Sequence, residues 1–246
     1  MRPDRHKLFT RARRLIGGSQ TQETGREIAF LHIGKCAGTQ IVHLAAQIEE
    51  QTGVRIVKHA HRVDLSRIRP DQPYFFPIRD PISRFRSGFY SRKRKGQPRV
   101  LSEWSPAEAR AFADFEHAND LAESLFEPGE RGGKALMAVQ SISHTAMQQV
   151  DWFTRNGYMF LNRPPLWIIR QEHFATDMDR FLARAGLGVT MADLCTAEDR
   201  AAAHATDYSE IPPLSETARA KLALWYARDI EFYRVCEDWM ARQAQA

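Results

Sequence analysis

From Glu27 to Ile33 the chain reads Glu-Ile-Ala-Phe-Leu-His-Ile, a nearly continuous apolar stretch too short to make a helix. A strand covered on both faces has this pattern, because neither side needs to alternate toward water. Gly34-Lys35-Cys36-Ala37-Gly38-Thr39 follows at once. Ile41, Leu44, Ala45 and Ile48 then fall at i, i+3, i+4 and i+7, the buried stripe of a helix. Strand, glycine-containing loop and amphipathic helix open a βαβ unit. A second strand is predicted over Val54 to Lys58 and a third over Tyr74 to Ile78, with Pro77 placed at an end or a bulge. Asp80-Pro81 predicts a capped helix start, and Ile82, Phe85 and Phe89 carry the buried stripe as far as about Arg94.

The region from Ser105 to Gln149 has mostly helical spacing, broken at Glu127-Pro128-Gly129. Trp167-Ile168-Ile169 predicts a further strand, followed by a helix through Phe181. Leu222, Trp225, Phe232, Cys236 and Trp239 fall on one helical face near the end. The expected fold class is α/β: one P-loop-like domain over residues 26–246, with a parallel sheet flanked by helices and a helix-rich later half. Residues 1–25 form a basic amphipathic arm, with Leu8, Ala12 and Leu15 near helical spacing and Gly17-Gly18 ending it. It reads as a docked or frayed terminal helix rather than a membrane anchor.

Composition narrows the class without naming a function. At 246 residues, with 43% hydrophobic and 26% charged positions, the chain is neither disordered, collagen-like nor a disulfide-dense mini-domain. No apolar run approaches the roughly 18 residues of a membrane span. The first residues have no apolar core of the kind a secretory signal needs. Cys36, Cys195 and Cys236 are widely spaced with no Cys-x-x-Cys, which fits a reducing, cytoplasmic setting and argues against a disulfide framework or a metal site. Charge is divided unevenly: residues 1–99 hold 21 Lys and Arg against 8 Asp and Glu, while residues 100–246 hold 14 against 22. A basic half predicts a positive field toward an anionic partner.

The loop between the first strand and helix is the first candidate for chemistry. Free backbone amides and the helix dipole converge there on one point, which suits a phosphate or sulfate, and Lys35 adds a mobile charge. It is not a Walker A loop: one ending at Lys35 needs glycine at position 29 and a hydroxyl at 36, where the chain has Ala29 and Cys36. A Cys-x5-Arg phosphatase loop needs arginine at position 42, which is Val42. The bland alternative is an ordinary tight βα turn. The second candidate is Pro77-Ile78-Arg79-Asp80-Pro81. There Arg79 closes a predicted strand, and Ser87 lies two turns into the next helix. An arginine fork with a hydroxyl suits a second phosphate.

Together these segments resemble a family. IAFLHIGKCAGTQIVHL is similar to the 5′-phosphosulfate loop of sulfotransferases that use 3′-phosphoadenosine 5′-phosphosulfate (PAPS), and YFFPIRDPISRFRSGFYS is similar to their 3′-phosphate motif. The resemblance is nearest to carbohydrate sulfotransferases, in particular hexuronyl 2-O-sulfotransferases. It is good over residues 27–95 and thinner at Trp167–Phe181 and Thr206–Tyr233. It implies PAPS as co-substrate, bound by Lys35, Cys36, Ala37, Gly38, Thr39, Gln40, Arg79 and Ser87, with no metal. The family usually has Pro, Thr and Ser where this chain has Gly34, Cys36 and Gln40, which bears on side-chain contacts of the loop and not on its backbone amides.

Histidines supply the remaining candidates. His59-Ala60-His61 follows the second strand, and on a strand both side chains would share a face. Sulfuryl transfer needs a group to accept the proton of the attacking hydroxyl, and the resemblance implies His61 as that base, with Lys35 as the second catalytic residue. His59, Arg94 and His144 are the candidates for holding the acceptor, and His144 is the reserve base. The run Arg92-Lys93-Arg94-Lys95 reads equally as a solvated helix end or as a basic surface for an acidic glycan. The expected activity is sulfuryl transfer from PAPS to a hydroxyl of a glycan or glycolipid. A P-loop phosphotransferase and a non-catalytic module binding an acidic glycan or nucleotide stand as rivals. Nucleic acid is disfavoured because the basic run has no interleaved aromatics. Peripheral membrane contact stays open, and the sequence is silent on oligomeric state.

Overall fold

The computed structural model describes residues 25–98, 100–153, 159–194 and 210–245, so the basic arm lies almost wholly outside them. Four strands form one parallel sheet in the order β2-β1-β3-β4: β1 (Glu27–Phe30), β2 (Arg55–Lys58), β3 (Tyr74–Ile78) and β4 (Ile168–Arg170). Helix α1 (Gly38–Thr52) links β1 to β2, and α2 (Pro81–Lys93) leaves β3. Ile28, Ala29 and Phe30 are fully buried, as the unbroken apolar run requires. The strand is shorter than its apolar run, however: Leu31, His32 and Ile33 are buried but lie beyond it.

Pro77 lies inside β3, not at a bulge, paired with Ile169 of β4. The reason is on its other side. The N–H groups of Ala29 and Leu31 in and after β1 bond to the carbonyls of Pro73 and Phe75 at 2.8 and 3.1 Å. By the alternation of a parallel ladder, the next rung would need the N–H that Pro77 does not have. The carbonyl of Leu31 takes the N–H of Ile33 instead, at 3.2 Å.

Ile41, Leu44 and Ile48 bury the face of α1 that the spacing predicts. Asp80 caps α2, its carboxylate accepting the N–H of Ser83 at 2.7 Å, with Pro81 in the first turn. The segment expected to be mainly helical divides more often than its single predicted break. It forms α3 (Pro106–Asp114), α4 (Ala118–Ser124), α5 (Glu130–Ser141) and the one-turn helix α6 (Ser143–Ala146). Phe115 ends α3 in extended backbone and Ile142 does the same for α5, and both are fully buried. The one-turn helix α7 (Met159–Asn162) precedes β4; α8 (Phe174–Arg184) and the short α9 (Met191–Leu194) follow it.

The C-terminal stripe does not lie on one helix. It breaks at Tyr226 into α10 (Glu216–Trp225) and α11 (Ala227–Gln245), and the two serve different cores. Phe232, Cys236 and Trp239 join the sheet core, where Phe76, Phe153, Phe160 and Phe232 pack ring to ring. Leu222 and Tyr226 join a second, helical core with Phe85 and Phe89 of α2, Phe112, Leu121 and Val139. Among the described residues, no helix is long and apolar enough to cross a membrane.

Candidate active site

In the order β2-β1-β3-β4, the connection from β1 runs one way across the sheet and the connection from β3 runs the other. Their carboxyl ends therefore part at a topological switch point, the place where open α/β sheets bind ligands. The loop with Lys35 leaves β1 there, and Arg79 is the first residue after β3. The two meet: Arg79 Nη1 donates to the carbonyl of Lys35 at 3.4 Å.

The loop is conformationally expensive. Lys35 has φ +68° and Ala37 has φ +60°, the left-handed region, which costs an L-residue roughly 1–2 kcal/mol. Two such residues within three positions, at the start of a fifteen-residue helix, are typical of loops whose amides are turned toward an anion. Gly38 is fixed by its neighbour, because a Cβ there would lie 1.9 Å from Nε2 of His32. Lys35 is half-buried and Thr39 exposed, whereas Cys36 is fully buried. Its thiol donates to Gln149 Oε1 at 3.3 Å, and burial pushes it up to about 12 despite the nearby arginines. Cys36 is thus an inward-facing thiol, inert as a nucleophile.

Gln149 is the residue that holds the two sides of the switch point together, and its sequence surroundings gave no hint of it. Fully buried, it accepts the N–H of Arg79 at 2.9 Å and donates to the carbonyl of Arg79 at 2.8 Å, so one amide brackets one residue. Its Nε2 also lies 3.4 Å from Asp229 of α11, whose other oxygen accepts the N–H of Val150 at 2.9 Å. Burial raises the Asp229 carboxyl. A few residues along α11, Tyr233 donates to Glu172, and Glu172 accepts the N–H of Asp80 at 2.8 Å. Asp229 and Tyr233 thus reach the switch point from the C-terminal helix. Arg79 keeps its Nε on Ser83 at 2.8 Å. Ser87 lies one turn further along α2, nearly buried.

His61 enters from the loop after β2. That strand ends at Lys58 and its last rung is the His59 N–H on the Phe30 carbonyl at 3.0 Å, so the shared-face argument does not apply, because His61 lies past the ladder. His61 Nδ1 lies 3.2 Å from the backbone carbonyl of His32. A carbonyl only accepts, so Nδ1 carries the proton and Nε2 keeps its lone pair. The rings of His61 and His32 pack with centroids 3.9 Å apart. Burial lowers the pKa of His61; its bond to His32 opposes this, and Lys58, Lys35 and Arg84 add to the lowering.

His144, whose spacing reads as an ordinary helix-surface position, reaches this cluster. Its ring lies 6.5 Å from that of His61, and both rings flank Gly34. Burial first, then Lys35 and His61, push it down to about 3. Its one-turn helix is held from several sides. Glu108 accepts the N–H of Ser143 at 3.2 Å, Tyr226 donates to the carbonyl of Thr145 at 2.7 Å, and Gly88 of α2 leaves its backbone no slack. No contact joins His59 to this group; its Nε2 is buried without a hydrogen-bond partner among the described residues.

The basic run is not a free cationic surface. Arg92 is buried in a two-pronged pair with Glu108 at 2.7 and 2.9 Å, Lys93 pairs with Glu116 and Lys95 with Glu103. Arg94 is exposed and caps the far end of α2, about 20 Å along the helix from Arg79 at 1.5 Å per residue. Among the described residues, no group of three or more His, Cys, Asp or Glu side chains is placed to hold a metal ion. No protein-family model and no curated protein matches the chain.

Proposed function

We propose that the protein is a sulfotransferase with a P-loop-like phosphate site, transferring the sulfuryl group of PAPS to a hydroxyl of a carbohydrate acceptor. The observation that carries this reading is the pairing at the switch point. A strained loop with Lys35 meets an arginine on the next strand, and a histidine with an unprotonated Nε2 stands beside them. The loop amides and Lys35 suit the 5′-phosphosulfate, and Arg79 with the hydroxyls of Ser83 and Ser87 suits the 3′-phosphate. The acceptor oxygen would bond to sulfur as the bond from sulfur to the 5′-phosphate oxygen breaks. The hydroxyl proton goes to His61 Nε2 and the leaving electron pair to the phosphate, where Lys35 balances the added charge. His144, kept neutral, borders the space the acceptor would enter.

A kinase reading is less well supported. In P-loop phosphotransferases a hydroxyl follows the lysine and binds the metal, whereas here a buried thiol turned toward Gln149 occupies that position. The test is an acceptor screen with radiolabelled PAPS against glycans, phenols and lipid-linked sugars. Transfer to a sugar hydroxyl is the expected result, and no transfer to any acceptor would leave a binding module as the better account.

A further inference from the structure

Among the described residues Arg84 is the most deeply buried Lys or Arg, at 2% exposure, in the first turn of α2 beneath the Lys35 loop. A buried charge ordinarily has a carboxylate partner, because desolvating it alone is costly. Arg84 has none within ion-pair distance among the described residues. Its Nε donates to the carbonyl of Gly34 at 2.9 Å and its Nη1 to the carbonyl of Met147 at 2.9 Å, and its guanidinium lies 5.9 Å from the Trp152 ring. Two other buried charges are treated differently: Arg92 has Glu108, and Asp177 has Arg170 at 2.9 Å. Asp229 acts on Arg84 from beyond ion-pair distance, and its own hydrogen bonds come from Gln149 and the Val150 amide.

The bond to Gly34 has a geometric consequence. In a trans peptide the carbonyl of one residue and the N–H of the next point in opposite directions. Drawing the Gly34 carbonyl down toward Arg84 therefore turns the Lys35 N–H up, away from the core and toward the mouth of the loop. A cation under the loop and an amide turned out above it both favour one occupant, a small polyvalent anion seated on the loop.

We infer that Arg84 is an anion-binding residue acting from behind the loop: with no ion pair among the described residues and Asp229 acting on it only from a distance, its positive charge is balanced more fully when a diphosphate-like or phosphosulfate group sits on the opposite side. This builds on the proposed phosphosulfate site but does not depend on the identity of the nucleotide. The cost of the incompletely balanced charge falls on the empty protein and is recovered on binding, so Arg84 contributes affinity without touching the ligand.

Arg84→Lys and Arg84→Gln separate charge from hydrogen bonding, since each keeps a donor for a carbonyl and only the first keeps the charge. Calorimetry with inorganic pyrophosphate and with adenosine 3′,5′-bisphosphate, alongside thermal unfolding of the ligand-free proteins, provides the readout. The expected result is pyrophosphate binding at least about tenfold weaker in the Gln variant than in the Lys variant, with ligand-free stability of the Gln variant equal or higher. Equal affinities would overturn the inference. So would a Gln variant that is less stable when empty, or failure of both variants to fold, because Arg84 would then serve the fold alone. Wild-type binding of pyrophosphate without preference for the bisphosphate would count against the sulfotransferase reading and leave the role of Arg84 standing.

Discussion

The imidazole of His61 is tethered through Nδ1 to the backbone carbonyl of His32, the residue whose own ring packs against it 3.9 Å away. The proposed base is therefore oriented by the segment that leads from β1 into the Lys35 loop, and not by its own strand.

For His61→Ala, turnover is expected to fall about 10²–10⁴-fold, the usual contribution of a general base, with adenosine 3′,5′-bisphosphate affinity unchanged. Neutral imidazole is the active form and its pKa is lowered, so the acid limb of the wild-type rate profile should lie below the ordinary histidine value of 6.5. A limb at or above 6.5 would show that another group limits the rate.

Gly38→Ala tests the same tether from the helix side. The added methyl would lie 1.9 Å from His32 Nε2, and the buried His32 ring has little room to retreat. Turnover should drop together with stability, and combining it with His32→Ala should recover stability but not turnover. Independent, additive effects of the two substitutions would mean the clash is relieved elsewhere.

Lys35→Ala should lower turnover at saturating PAPS by more than it weakens PAPS binding, because its charge matters most as the leaving phosphate becomes more negative. Weaker binding with full turnover would restrict Lys35 to the ground state.

Much of this arrangement is legible in the sequence. The run Ile28 to Ile33, the stripe of α1 and the Asp80-Pro81 cap depend on neighbours a few residues apart, so period and capping reveal them. What is not legible depends on distant partners. Arg84 sits among polar neighbours and reads as a surface residue, and Gln149 carries neither charge nor motif. The bonds that define Gln149 reach back 70 residues to Arg79 and forward 80 to Asp229. The run Arg92–Lys95 looks like a patch for the same reason: its acidic partners lie 8 to 23 residues downstream. His144 is a candidate in the sequence, but its place beside His61 is not legible there, because a one-turn helix has no periodicity from which to read a face.

Gln149→Leu removes both bonds that bracket Arg79 and leaves a part-buried N–H and carbonyl unpaired, at up to about 1–3 kcal/mol for each group. Denaturant unfolding should register the loss, and the KM for PAPS should rise because Arg79 is no longer held. A stable variant with an unchanged KM would mean Arg79 needs no support.

Glu108 should set the acid limit of the helical core. Burial pushes its carboxyl up, but Arg92 and the amides of Ser105 and Ser143 outweigh this and hold it at about 2, against 4.5 when free. The unfolded chain therefore binds this proton first, and the stability due to Glu108 is full above about pH 4.5 and lost as pH falls toward 2. Glu108→Gln should be less stable at neutral pH and should flatten the decline of unfolding temperature with pH in that window. A parallel decline in both proteins would assign it to other groups, including His32 and His144, which both lie near 3 and lose stability below 6.5.

Pro77 gives the ladder at the switch point a fixed end. Since the residue has no hydrogen to offer Leu31, β1 and β3 cannot zip one rung further, and the ladder between them is stopped by a missing atom. Such a stop survives any repacking of the surrounding core. It also leaves the chain after Leu31 outside the ladder. New binding chemistry at this point on the sheet would need a different loop and no change to the strands.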